Sequence, residues 1–242
     1  MNASKWSKIE YSQGDKRYVG LFLQDEIAQP KAIVVLLPDW RGQGELAKDH
    51  ATYLASLGCA VLIADLYGEG FNPTSPDQVG PMVKHLLDHR TEGAAALSAA
   101  VRQVRQTTPV DTPIVCLGYS AGGMIALDYA RSGGDAAGVI LCSALLKTAE
   151  EGMATAIRSP VLILHGTQDQ VAPMQVIADV VAEMDEAKND VRIELYTQTH
   201  HAFDNPEAGS DPSARLVYSE RSARRARQLI AEFITEVCKT AS

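Results

Sequence analysis

The sequence predicts an α/β protein in which a mostly parallel, doubly wound sheet of about seven or eight strands is flanked by helices. Seven short apolar runs rich in Val, Ile and Leu show no polar alternation, which is typical of strands covered on both faces. Helical patterns separate most of these runs, and this alternation indicates parallel pairing. No linker, repeat or low-complexity tract divides the chain, so residues 1–242 are expected to form a single domain.

The elements follow from local patterns along the chain. The segment ELAKDHATYLASLG places apolar residues at helical spacing and stops at Gly58, a typical helix C-cap. The Gly- and Pro-rich segment 67–80 interrupts the alternation, and we expect it to be a loop over the active face, with no large lid domain. Further helices are predicted over 84–106, 122–132, 173–187 (opening at Pro173) and 214–238. The predicted strands are 18–23, 32–38, 59–66, 113–118, 138–144, 161–166 and 191–196.

Composition and charge argue against several classes of function. The chain is 46% hydrophobic and 21% charged, as in ordinary globular proteins, and its net charge of -8 disfavours nucleic acid and anionic membranes as partners. The opening residues MNASKWSKIE contain no apolar segment of a signal peptide, and no apolar run approaches the roughly 18 residues of a membrane span. We therefore expect a cytoplasmic protein. The four cysteines are scattered without close pairs, which predicts neither a disulfide framework nor a zinc site.

The stretch LGYSAGGM, residues 117–124, contains a candidate nucleophile. The apolar run before it predicts a strand and the residues after it predict a helix, so Gly118-Tyr119-Ser120-Ala121-Gly122 is a G-x-S-x-G turn in a strand-turn-helix context. Such a turn holds the serine in a strained backbone conformation and needs glycine where side chains would collide. The N-terminus of the following helix offers N–H groups to a developing oxyanion. Ser120 is therefore the predicted nucleophile.

A serine hydroxyl needs a base to remove its proton, and the base needs an acid to orient it. The chain order expected for this motif is serine, acid, histidine. After the last predicted strand the chain has His200 and His201, in TQTHHAF, and sequence spacing alone does not choose between them. Asp169, in HGTQDQVAP, directly follows the strand 161–166 and is the predicted acid.

These motifs resemble those of the dienelactone hydrolase family of α/β-hydrolases. The resemblance runs over almost the whole chain, through LLPDWRG, LASLGCAVLIADLYGEG, LGYSAGGMIALDYA, VLILHGTQDQVAP and HAFDNP. It implies an α/β-hydrolase fold, with His201 as the catalytic base and Asp169 as the acid. It also implies an oxyanion hole formed by the backbone N–H groups of Trp40 and Ala121. Asp39 falls where the family prototype carries a glutamate that interacts with the resting nucleophile.

Two departures from the family pattern bear on activity. Many members carry cysteine where this chain has Ser120, which leaves two interpretations open: a natural serine variant, or a substituted and impaired form. The prototype holds its substrate's carboxylate with arginines, one of them four residues beyond the catalytic histidine, where this chain has Asn205 next to Asp204. We therefore expect a neutral carboxylic ester or lactone as the substrate, cleaved through a covalent intermediate.

Several residues are candidates for the substrate pocket. Asp39, Trp40, Tyr119 and Phe203 lie around the nucleophile in this interpretation, although each could equally pack against the sheet. Tyr67 and Phe71 could line the mouth of the pocket from the segment 67–80.

Other functions remain open at this stage. Relatives of this family include metal-free hydrolases of aryl esters and phosphotriesters, so a promiscuous phosphotriesterase or arylesterase using the same triad is the alternative. A thioesterase would use the same residues, and a protein that only binds a small ligand is the non-enzymatic alternative. No HExxH motif or other close histidine cluster is present, so we expect no metal and no cofactor. The oligomeric state is left open.

Overall fold

The computed structural model describes residues 6–24, 29–108, 111–150 and 157–240. None of the helices within these ranges combines the length and apolar character needed to cross a membrane. The strands are β1 Trp6–Gln13, β2 Lys16–Leu23, β3 Ile33–Leu37, β4 Ala60–Ile63, β5 Ile114–Tyr119, β6 Gly138–Cys142, β7 Val161–Gly166 and β8 Val191–Tyr196. The helices are α1 Glu45–Ser56, α2 Pro76–Asp88, α3 Arg90–Arg105, α4 Ala121–Arg131, α5 Met174–Glu186 and α6 Glu220–Thr240, with a short 3-10 turn at Pro206–Ala208.

The eight strands of the described ranges form one sheet in the order β1-β2-β4-β3-β5-β6-β7-β8. Strands β3 to β8 pair in parallel, whereas β1 pairs antiparallel with β2 and β2 antiparallel with β4. The predicted mostly parallel sheet of seven or eight strands flanked by helices is confirmed. All the parallel strands therefore end at the same edge of the sheet, where ligands bind in proteins of this architecture.

Helices cover both faces of the sheet because alternate residues of each buried strand point in opposite directions. In β3, Ile33, Val35 and Leu37 pack in one core cluster with residues of α3, α4 and α5. Val34 and Leu36 pack in the other cluster, with residues of α1 and α6. This two-sided burial explains why the strands lack polar alternation in the sequence.

Strand β1 was not predicted from the sequence. Its residues, WSKIEYSQ, are mainly polar, and among them only Ile9 and Tyr11 are buried. The strand lies at the edge of the sheet and forms a hairpin with β2. One apolar face on an edge strand leaves too few hydrophobic residues for a clear strand pattern.

Two helix predictions and one loop prediction are corrected by the structure. The helix predicted over 84–106 is two helices, because His89 has φ of -128° and ψ of 50° between α2 and α3. The segment 67–80 is not a loop throughout, since α2 begins at Pro76 with Ser75 as its N-cap, a start signal that the Gly- and Pro-rich composition hid. The helix predicted from residue 214 begins at Glu220 instead.

Candidate active site

Ser120 lies in a sharp turn between β5 and α4, at the carboxyl edge of the sheet. Its backbone has φ of 47° and ψ of -117°, a strained conformation for a residue with a side chain. A Cβ atom on Gly118 would lie 2.5 Å from the carbonyl oxygen of Gly122. A Cβ atom on Gly122 would lie 2.4 Å from the carbonyl oxygens of Leu37 and Pro38. Both positions therefore require glycine, and the turn presents the serine at the end of the strand.

The structure brings the three predicted triad residues into one chain of hydrogen bonds. Ser120 Oγ lies 3.0 Å from His201 Nε2, and His201 Nδ1 lies 2.7 Å from Asp169 Oδ2. Because an ionised carboxylate only accepts hydrogen bonds, Nδ1 of His201 carries the proton and Nε2 is free to accept from the serine hydroxyl. The neighbouring His200 is buried and makes neither of these hydrogen bonds. The geometry thus favours His201 over His200 as the partner of the serine.

Asp169 is held in its ionised form by its surroundings. Burial of the carboxyl raises its pKa, but the hydrogen bonds from His201 and from the backbone N–H of Ala172 help to outweigh burial and hold the pKa below its usual range. Oδ1 accepts hydrogen bonds from the backbone N–H groups of Val171 at 2.7 Å and Ala172 at 2.8 Å. These bonds leave Oδ2 for His201. The turn after β7 therefore fixes the direction in which the carboxylate points.

Two backbone N–H groups flank the serine. Ala121 is the first residue of α4, and Trp40 follows the end of β3; both residues line the cavity that contains Ser120. Within the described ranges, neither N–H donates to a protein acceptor. Trp40 is also held at its carbonyl oxygen, in the following peptide group, by the phenol of Tyr67, which donates to it at 2.6 Å. Both N–H groups are thus available to an oxyanion formed beside Ser120.

The Asp39 carboxylate is engaged by Arg41 rather than by the serine. Arg41 donates from its Nη2 atom to Asp39 Oδ2 at 2.7 Å and from its backbone N–H to Oδ1 at 2.9 Å. Its Nη1 atom also pairs with Glu207 at 2.7 Å. The interaction with the nucleophile that the family resemblance implied for Asp39 is not among the hydrogen bonds of the described residues. The charge of Asp39 is instead balanced beside the cavity.

The cavity at Ser120 has a volume of about 410 Å³ and mainly apolar walls. Helix α2 supplies Val79, Val83 and Leu87, with Gly80 and Lys84 beside them. Leu145, Val171 and Leu216 form further apolar walls, and Asn205 adds a polar group. A larger groove of about 1120 Å³ runs along the outer face of α6 and includes none of the three triad residues.

Comparison with known proteins places the chain in a family. The sequence profile of the dienelactone hydrolase family matches residues 20–238. The chain belongs to the dienelactone hydrolase family. The resemblance stated from the sequence motifs is therefore confirmed, and it supports a hydrolase. No curated protein sequence matches the chain.

Solved structures superpose on nearly the whole chain. A structure named m3DLH is 29% identical, with a TM-score of 0.89, and the match covers 98% of this chain and 99% of that one. A dienelactone hydrolase-like promiscuous phosphotriesterase from metagenomic libraries is 26% identical, with the same TM-score and coverage. A putative dienelactone hydrolase from Klebsiella pneumoniae subsp. pneumoniae is 18% identical over 97% of this chain and 100% of that one, with a TM-score of 0.76, and shows the fold alone.

Four of the residues predicted for the pocket do not line the cavity at Ser120. Tyr119 is buried on the other side of the sheet edge, where its ring stacks on His50 at 4.3 Å. Phe203 is fully buried and packs edge-on against Tyr196. Tyr67 is buried below the Trp40 peptide, and Phe71 is 42% exposed outside the cavity. Of the predicted pocket residues, Asp39 and the oxyanion-hole candidate Trp40 do line it.

The sequence reasoning missed the residues that form most of the cavity. The α2 side chains were missed because their segment was interpreted partly as a loop. Ser143 was also missed: it has φ of 46°, and its hydroxyl accepts a hydrogen bond at 2.8 Å from the backbone N–H of Ala202, next to His201. The hydrogen bond from Ala202 to Ser143 joins two loops that are far apart in the chain, so no local sequence motif could have predicted it.

One further histidine near the triad is fully buried. His165, at the end of β7, is fully buried, and neither ring nitrogen has a hydrogen-bond partner among the described residues. Burial lowers the pKa of His165, although the charge of Asp169 acts in the opposite direction. The ring is therefore neutral at physiological pH. No group of three or more potential metal ligands lies together in the part of the chain that the structure describes.

Proposed function

We propose that this protein is a serine hydrolase that cleaves neutral carboxylic esters or lactones through an acyl-enzyme. The observation that carries the proposal is the continuous hydrogen-bond chain from Ser120 Oγ through His201 to Asp169. It lies beside two free backbone N–H groups and opens into an apolar cavity. A nucleophile, a base, an orienting acid and an oxyanion site together are what acyl transfer requires.

In the first step, His201 Nε2 accepts the proton of Ser120 as Oγ attacks the ester carbonyl carbon. The carbonyl oxygen becomes an oxyanion and accepts hydrogen bonds from the N–H groups of Ala121 and Trp40. The ionised Asp169, whose pKa is held low, stabilises the imidazolium that forms. When the tetrahedral intermediate collapses, the ester C–O bond breaks and the leaving oxygen takes the proton from Nε2.

The second step releases the acid. A water molecule enters beside His201 and gives its proton to Nε2 as its oxygen attacks the acyl carbon. The bond to Ser120 Oγ breaks, and Oγ takes the proton back from the imidazolium. No cofactor takes part in either step, since every proton moves between His201, serine, water and the leaving alcohol.

The charges around the cavity favour a neutral substrate. Asp39 is paired with Arg41, and Lys84, on α2, is paired with Asp88. Asn205 occupies the position of the arginine that binds the substrate carboxylate in the family prototype. Because no unpaired cation of the described residues faces the serine, a substrate anion would lose its hydration without gaining a partner.

The test compares the protein with its Ser120→Ala and Ser120→Cys variants on p-nitrophenyl acetate. The proposal predicts that the alanine variant loses at least about 10³-fold in kcat. It also predicts useful turnover by the serine form, because the base already contacts the hydroxyl. If only the cysteine variant is active, the site is adapted to a thiolate and the proposed serine chemistry is wrong.

A second candidate is phosphotriester hydrolysis on the same triad. It is favoured by the 26% identity over nearly the whole chain to a structure described as a promiscuous phosphotriesterase. Attack of Ser120 on a neutral phosphorus also generates a negatively charged oxygen that the same N–H groups can bind. Multiple turnovers of a p-nitrophenyl phosphotriester support this activity, whereas one burst equal to the enzyme concentration shows inactivation only.

A further inference from the structure

Helix α2 turns an apolar stripe toward the catalytic serine instead of burying it. Val79, Val83 and Leu87 recur every four residues, which places them on one face of the helix. All three line the cavity that contains Ser120, and all three are partly exposed. The helix is attached to the core through Leu86, which is buried, and through Met82 and Leu87, which pack against the core cluster.

The opposite walls of the cavity match this stripe. Leu145, Val171 and Leu216 line it and are also partly exposed. Six partly exposed aliphatic side chains thus surround the approach to the serine. A ligand that covers them removes apolar surface from water at every step along the cavity.

The charged groups next to the stripe already have partners. Lys84 forms an ion pair with Asp88 one turn further along α2. Asp39 forms its ion pair with Arg41 at the other end of the cavity. A chain without charge therefore suits the stripe best, because a charged chain would lose hydration next to the apolar side chains and meet only ions that already have partners.

We propose that the stripe Val79, Val83 and Leu87 is the specificity wall of the enzyme and that it binds an unbranched, uncharged, medium-length alkyl chain of the ester. This inference rests on the proposed ester hydrolysis. Leu87 lies eight positions after Val79 in the helix, so the stripe is about 12 Å long. At roughly 1.3 Å per carbon, an extended chain of roughly nine carbons covers it.

Binding along the stripe predicts how kcat/KM depends on the length of the alkyl chain. Each methylene that becomes buried raises kcat/KM by about two- to fourfold, because it moves from water to an apolar wall. The gain stops when the chain passes Leu87. Acyl length is varied with p-nitrophenyl esters from acetate to dodecanoate, and alcohol length with n-alkyl acetates; the two series show which side of the ester bond lies on the wall.

Two substitutions in α2 distinguish an effect on substrate binding at the wall from an effect on the stability of the helix. Val83→Thr keeps the shape of the side chain and replaces a methyl group with a hydroxyl. The ratio of kcat/KM for octanoate to that for acetate is therefore expected to fall about three- to tenfold. If the alcohol side of the ester lies on the wall, the same fall is expected in the corresponding ratio of the alcohol series. Met82→Ala is the matched control: it truncates an apolar residue that packs on the core, and it is expected to lower the melting temperature and leave the ratio unchanged. Circular dichroism verifies that both variants are folded.

The outcomes are distinct. The specificity wall is supported if kcat/KM rises with chain length in either series, and if Val83→Thr reduces this rise whereas Met82→Ala does not. The specificity wall is overturned if kcat/KM does not change with chain length in either series, or if Val83→Thr leaves the length dependence unchanged. The proposed ester hydrolysis stands in both cases. Faster turnover of a half-ester of a dicarboxylic acid than of the uncharged ester of equal length also overturns it. If no ester is cleaved faster than by the Ser120→Ala variant, the proposed function fails and this inference with it.

Discussion

Gly122→Ala tests how the turn around Ser120 builds the oxyanion site. The added methyl group would lie 2.4 Å from the carbonyl oxygens of both Leu37 and Pro38, which are backbone atoms just before Trp40. Since Cβ atoms do not approach such atoms closer than 3.0 Å, the start of α4 must move away from the end of β3 by about 0.6 Å or more. That movement separates the N–H of Ala121 from the N–H of Trp40.

The size of the effect follows from this displacement. A misplacement on the order of 1 Å costs about 10²-fold in rate, and loss of one oxyanion donor costs about 10²- to 10³-fold. We therefore expect kcat/KM to fall about 10²-fold, mainly through kcat, because the oxyanion is present only after attack. Crowding of backbone atoms on both sides also lowers the free energy of unfolding by about 1–3 kcal/mol.

The assay measures kcat and KM with p-nitrophenyl acetate, and urea unfolding on the same samples gives stability. Gly44→Ala is the control, because its Cβ would meet nothing closer than the Arg41 carbonyl oxygen at 3.8 Å and its φ of -72° suits alanine. Gly44 is the N-cap of α1, and alanine caps a helix less well than glycine, so this variant should lose up to about 1 kcal/mol of stability. It should keep its activity. Parental kcat in a folded Gly122→Ala protein would refute the proposed oxyanion geometry.

Three further predictions concern the base, the acid and the support of the oxyanion site. His201→Ala should lose at least about 10³-fold in kcat and His200→Ala less than tenfold, and the reverse order in steady-state assays would reassign the base. Asp169→Asn should lower kcat by about 10⁴-fold. Since the folded pKa of Asp169 is depressed, its carboxylate stabilises the fold above its unfolded pKa of about 3.9, and this contribution disappears as pH falls through the folded pKa. The stability gap between parent and Asp169→Asn should therefore narrow in acid, and a gap that widens in urea titrations would contradict the assignment. Tyr67→Phe removes the hydrogen bond to the Trp40 carbonyl and should lower kcat by up to about tenfold with little change in KM, whereas an effect on KM alone would place Tyr67 in substrate binding.

Much of the fold was predictable because its strands are buried on both faces. The apolar runs that became β3 to β8 stand out from the helices between them, and the turn at Ser120 is fixed locally by Gly118 and Gly122. The position after β7 indicated Asp169 and the family motif indicated His201, and the structure brings both to the serine. Spacing alone left His200 and His201 open, because only the folded loop shows which ring faces the nucleophile.

The substrate cavity was much harder to predict. Its walls come from α2 and from loops far apart in the chain, and their half-buried residues carry no periodic pattern that separates a pocket from a core. Tyr119 and Phe203 lie next to key residues in sequence but point into the core, so adjacency in the chain misled the prediction. The partner of Asp39 was also missed: its carboxylate pairs with Arg41, two residues away.

The most direct test of the account is to find where a mechanism-based inhibitor attaches. The protein and its Ser120→Ala variant are treated with a fluorophosphonate, and intact mass and peptide mapping locate the adduct. The account predicts one adduct per chain, on the Ser120 oxygen, that appears as esterase activity disappears and does not form in the variant. An adduct on another residue that abolishes activity, or full labelling of the Ser120→Ala variant, would contradict the claim that Ser120 is the nucleophile.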